Sequence, residues 1–324
     1  MHEETGTLDI GAQEGARLLT AAAELVVGHL STVADGPVAP AEPGTGQLRD
    51  WLAGHDFDRP APAADTLAEV MGMLRQWGVH TTHPRYFGLF NPTPTWWGIA
   101  GEVLAAGVNP QLAAYSHAPA AVEMERHVLR FVAGRLGLPT AEGSFTVGGA
   151  EANLTAVIVA LTRRFPAYPG SGLAGLARMP VLYASAESHL AWLKIAPLAR
   201  QAGEWGVDFH VDAAWAGAVA LERDVRLGEL LARRLSEEGW PRVNDTPLPV
   251  VCVADPAAES QGPEHSAAWH AAVADHVVRS GQAWLSTVRL AGRPALRLCL
   301  TSHRTTVSDV EAAVTALNQA RALN

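Results

Sequence analysis

A chain of 324 residues, 48% of them hydrophobic and with mean hydropathy near zero, is long enough to bury a real core and to divide into subdomains. Its net charge of −9, with no basic block and no basic stripe interleaved with aromatics, argues against nucleic acid and anionic membrane surfaces as partners. No uninterrupted apolar run approaches the ~18 to 20 residues that cross a bilayer, and the acidic start Met1-His2-Glu3-Glu4 lacks the basic flank of a secretory signal; a soluble, cytoplasmic protein is expected.

In chain order, Gly15 to Ala34 reads as an amphipathic helix, with Leu18, Leu19, Ala22, Leu25 and Val26 at helical spacing. A Pro/Gly-rich connector (36–46) leads to two further helices, near 47–54 and 65–77, that flank a turn containing Pro60 and Pro62. Residues 1–82 are therefore expected to form a helical arm. From His83 the chain turns aromatic and proline-rich (HPRYFGLFNPTPTWW), a loop whose side chains pack a contact or line a pocket.

A helix over 120–136 is stopped by Gly137 and Pro139. Next come a strand, the pair Gly148-Gly149, and another helix. After Gly217 the pattern is helix (225–238), strand (248–254), helix (266–279), two short strands around Gly292-Arg293-Pro294, and a closing helix with a capping box at Ser308 and Glu311. Residues 222–324 thus form a small α+β domain. Cys252 and Cys299 each lie in an apolar strand, so buried thiols are expected rather than a disulfide or a metal site.

Three places carry possible chemistry. The run Ser144 to Leu154 (SFTVGGAEANL) passes through two glycines into a helix, where bare first-turn N–H groups favour an anion such as phosphate; a tight structural turn explains the same pattern. Asp212, in Phe209-His210-Val211-Asp212-Ala213-Ala214-Trp215, ends an apolar strand, where a carboxylate either meets a cationic partner or caps a helix. His189 follows the apolar run 180–183 and is either catalytic or simply hydrogen-bonded.

Read together and in order, HPRYFG, GVNPQ, AVEMERHVLRFVAGRLGLP, GSFTVGGAEANL, YASAESH, FHVDAAW and LRLCLTSHRTT resemble the group II pyridoxal-phosphate-dependent amino-acid decarboxylases, which include the aromatic-amino-acid, glutamate and diaminobutyrate decarboxylases. The resemblance covers most of the chain from His83 onward. It implies the α/β architecture of aspartate aminotransferase: a large domain (83–221, apparently shortened) with a mixed, mainly parallel sheet, and the small C-terminal domain. It also implies pyridoxal 5'-phosphate as cofactor, a free amino acid as substrate, and a homodimer.

By position, Gly148, Gly149 and Ala150 would hold the cofactor phosphate, and His189 would stack on its ring. Asp212 would pair with the ring nitrogen, Ala214 would pack against the ring, and Arg297 would take the substrate carboxylate. Decarboxylation of an L-amino acid is the implied reaction.

The chain departs from the family in one respect. Members carry a Ser/Asp-x-His-Lys-Trp segment whose lysine holds the cofactor covalently, and a strand with a Gly-Thr-Thr motif before HVDAAW. Neither is present, and roughly 150 residues of the usual length are missing. Of 24 basic residues one is a lysine, Lys194, five residues after His189 and better read as structural. Two explanations follow: the sequence omits segments of a longer enzyme, which is favoured because lost strands leave a sheet with open edges, or this is a compact non-catalytic homologue that serves as a binding or dimer partner.

Overall fold

A computed structural model describes residues 10–40, 44–55, 61–89, 91, 93–138, 142–178, 180–182, 210 and 225–324. Contacts divide the chain into two compact units. One joins residues 1–99 to 223–324; the other is 100–222.

The first unit is organised by an antiparallel sheet in the order β1-β3-β2: β1 is Val250–Val253, β2 Ser286–Leu290 and β3 Arg293–Cys299. In register, Val251 faces Leu298, Cys252 faces Arg297, and Arg297 in turn faces Ser286. Strand alternation gives this sheet two unlike faces. On one, Val251, Val253, Leu296 and Leu298 pack on helices, with the fully buried Leu231, Val273 and Leu317. On the other, Cys252, Ala254 and Ala295 form a smaller apolar layer with Val243, Val250, Val288 and Leu290.

The arm supplies α1 (Gly11–Thr32), α2 (Thr45–Ala53) and α3 (Ala63–Trp77). α1 leans on α3, with Arg75 donating to the Thr32 hydroxyl at 3.4 Å and His29 meeting Thr82 at 3.2 Å. With its following 3-10 turn, α1 is by length and composition long and apolar enough to cross a bilayer. The absence of a long unbroken apolar run did not foretell this, because Arg17, Glu24 and His29 interrupt a stretch whose leucines and valines carry the hydropathy.

The other unit holds α5 (Pro119–Arg135), α6 (Gly149–Arg164), the short α7 (Tyr168–Ser171) and most of α4 (Trp96–Val108). Sequence reasoning missed α4 by reading through Trp96 and Trp97 as loop. Residues 144–147 run into α6 without a strand ladder among the described residues.

Helix α8 (Val225–Glu237), α9 (Pro256–Ser260), α10 (Pro263–Arg279) and α11 (Val307–Leu323) complete the C-terminal layer. The closing helix is capped two residues earlier than expected. Thr306, in extended geometry, accepts from the N–H of Asp309 while the Asp309 carboxylate accepts from the N–H of Thr306. Ser308 already lies inside the helix, where its backbone cannot serve as a cap.

The HPRYFG loop proves to be a packing element. Phe87 and His83 are fully buried, the Phe87 N–H donates to Trp284 O at 2.8 Å, and the Cys299 N–H donates to Phe87 O at 3.0 Å. A side chain at Gly88 would meet the Trp284 ring at 2.3 Å, so only glycine permits this approach. Both cysteines are free and buried as expected; burial pushes the Cys299 thiol up to about 11.

Candidate active site

The residues expected to hold the phosphate stand at the start of α6. Gly148 has φ +89° and ψ 168°, a conformation that L side chains rarely adopt, and it turns the chain sharply from 144–147 into the helix. Among the described residues no side chain caps this N-terminus. The N–H groups of Gly149, Ala150 and Glu151 have no carbonyl one turn back to bond, so they remain available to an anion. A Cβ added at Gly148 would meet nothing within 4 Å, leaving room beside those donors. These residues fit a phosphate group.

One turn into α6, Asn153 is 2% exposed, and its side-chain oxygen lies 2.7 Å from Nε2 of His210. With Oδ1 as acceptor, Nε2 carries the proton. This contact joins the helix that follows the glycine turn to His210, which precedes Asp212 by two residues in the sequence. Neither residue had been singled out in the sequence: a buried asparagine in a helix and a histidine in a strand each look structural until they meet.

His189, Asp212, Ala214 and Lys194 lie outside the described residues. Arg297 stands in the other unit, at the centre of the C-terminal sheet, half-buried and facing away from the main helical layer. Its Nε is buried with no hydrogen-bond partner among the described residues, and so is the Ser286 hydroxyl. Among the described residues no carboxylate lies within ion-pair distance of Arg297, and no group of three or more His, Cys, Asp or Glu is arranged to hold a metal ion.

Comparison with known proteins bears on the family and the fold. The family model for the pyridoxal-dependent decarboxylase conserved domain matches residues 56–202, which include the glycine turn and His189 but end before Asp212. The chain is 29% identical over 132 residues to an acidic amino acid decarboxylase of Mus musculus, covering 41% of this chain and 24% of that protein. It is also 29% identical over 203 residues to tryptophan decarboxylase 1 of Oryza sativa subsp. japonica, covering 59% and 39%. The chain thus spans well under half the length of the curated relatives it matches.

Superposition reaches further. Mouse CSAD in apo form aligns with a TM-score of 0.81 at 16% identity, over 95% of this chain and 98% of the other. Oryza sativa TDC with PLP gives 0.78 at 17% identity, over 97% and 99%. At that identity the likeness establishes the fold, and the fold is the one the sequence motifs implied.

Proposed function

From the premise that this chain resembles the group II pyridoxal-phosphate-dependent decarboxylases in sequence and shares their fold, we propose that it binds pyridoxal 5'-phosphate and decarboxylates a free L-amino acid. The observation that carries the reading is the glycine-opened, uncapped start of α6, with Asn153 of that helix in contact with His210. When bound, the cofactor supplies an electron-withdrawing ring that accepts the electron pair left as carbon dioxide departs.

The chain's own residues do the rest. N–H groups of Gly149 and Ala150 hold the phosphate, His189 covers one ring face, and Ala214 packs against the ring. Asp212 keeps a proton on the ring nitrogen. Arg297 holds the substrate carboxylate through a planar donor fork. A cytoplasmic homodimer completes the proposal; the dimer rests on the resemblance to the family alone.

The lysine count favours a second reading, a homologue that binds the cofactor without turnover. Incubating the full chain with pyridoxal phosphate and separate acidic and aromatic L-amino acids, then measuring carbon dioxide and amine, separates the two. Amine formation from at least one acid is expected. Saturable cofactor binding with no amine from any of them would replace the first reading by the second. Borohydride reduction followed by peptide mapping shows whether Lys194 becomes attached.

A further inference from the structure

The outer face of the C-terminal sheet holds two polar groups that nothing among the described residues satisfies. Ser286 on β2 and Arg297 on β3 are direct cross-strand neighbours, and strand alternation points both side chains to the face shared with Cys252 and Val288. The Ser286 hydroxyl and the Arg297 Nε are each sealed from solvent, and each lacks a hydrogen-bond partner among the described residues.

A buried donor left unpaired costs about 1 to 3 kcal/mol, and two on adjacent strands point to a shared missing partner. They do not satisfy each other, although a hydroxyl oxygen accepts readily from a guanidinium N–H. Both therefore remain as donors toward a third group. Nearby polar side chains are already committed: Asn244 donates to Val250 O and accepts from the Cys252 N–H, while Arg242 donates to Asn244 and to Thr246 O.

We infer that Ser286 and Arg297 together form one carboxylate-binding subsite, with Ser286 a second substrate-contacting residue. This rests on reading Arg297 as the residue that takes the substrate carboxylate, and adds what that reading lacks. A guanidinium alone takes a carboxylate in more than one orientation; a hydroxyl fixed on the next strand admits fewer, because one carboxylate oxygen must accept from the serine while the other meets the arginine edge. Arg297 is half-exposed, so rotation about its last side-chain bonds brings Nε to an incoming anion. The ligand class is a monocarboxylate borne on a small organic molecule, and the expected effect is on its affinity and orientation.

The Nε–H resonance of Arg297, assigned by its disappearance in Arg297→Gln, reports on the subsite in the full chain without cofactor. Titration with 3-phenylpropionate is expected to shift that signal saturably, while phenethylamine, which lacks the carboxylate, leaves it in place. Ser286→Ala should weaken the probe about five- to tenfold, the loss of one hydrogen bond to a charged group, and Ser286→Thr, which keeps the hydroxyl on a strand-compatible side chain, should restore it.

Equal affinity in wild type and Ser286→Ala, with a dispersed amide spectrum showing both folded, would overturn the pairing, as would an Arg297 signal that ignores the carboxylate. Carboxylate binding with no amine formed from any amino acid would remove the proposed reaction and leave the pair standing. Amine formation that does not respond to Ser286→Ala would do the reverse.

Discussion

The C-terminal region and the stretch that carries the glycine turn are built from helices of similar length, yet they bury their side chains very differently. In α10 and α11 whole stripes are buried, including Val273, Val277, Val310, Ala313 and Leu317, because the same region also supplies the sheet they cover. In α4 and α5 no residue is buried, and in α6 only Asn153 is. Phe131, Leu154 and Val159 stand more than half exposed at 64%, 59% and 58%. An apolar stripe marks a helix that expects a second layer. The difference teaches that stability resides in the C-terminal core, while the proposed cofactor turn sits on helices whose covering layer is not found among the described residues.

Removing a core side chain gives the largest expected effect. Leu296→Ala should cost roughly 2 to 5 kcal/mol in urea unfolding, whereas Leu154→Ala on α6 should change stability by less than about 0.5 kcal/mol. Comparable losses at both sites would erase the contrast between the regions.

Acid should act next, through His83 in the loop that packs on the C-terminal domain. Burial first, and the neighbouring Arg85 second, hold its pKa down to about 4; it faces the Gly36 carbonyl, Asp309 and His80. Its Nδ1 accepts from the Arg85 N–H at 3.0 Å and its Nε2 donates to Gly36 O at 3.2 Å, so the folded state requires a neutral ring. A depressed value means that this stabilisation is complete above about 6.5, the ordinary value, and is lost as pH falls through about 4. Unfolding followed from pH 7 to pH 4 should show a decline that flattens in His83→Gln; an unchanged slope would contradict it.

A smaller effect tests the helix cap. Thr306→Ala removes the reciprocal Thr306–Asp309 bonds, and a loss of about 1 kcal/mol is expected in thermal or chemical unfolding. Substituting Ser308 should be nearly silent, since that hydroxyl caps nothing.

Much of this architecture was legible in the sequence because each element carries its own signal. Apolar spacing placed α1, α3 and α5 within a few residues, and Gly137 marked the end of α5. Order alone identified the fold, since HPRYFG, the glycine pair and HVDAAW recur in a fixed sequence that composition does not dictate. What escaped was set by contacts between distant segments. Asn153 and His210 become a pair only once folding joins them, and the lack of partners at Ser286 and Arg297 is a property of three strands in register. Helix α4 was hidden because tryptophans beside prolines read as loop, and the cap moved to Thr306 because backbone geometry, not the Ser-x-x-Glu pattern, selects the capping residue.

The central claim is that the start of α6 holds the phosphate of pyridoxal phosphate, and equilibrium titration of the full chain with the cofactor, comparing wild type with Gly148→Ala, tests it most directly. At φ +89° an alanine carries about 1 to 3 kcal/mol of strain, and relief of that strain must move the N–H groups that line the turn. Saturable binding by wild type, displaced by inorganic phosphate and weakened at least about fivefold in Gly148→Ala, is the predicted result. Binding that is absent in wild type, or present and indifferent to the substitution, would contradict it.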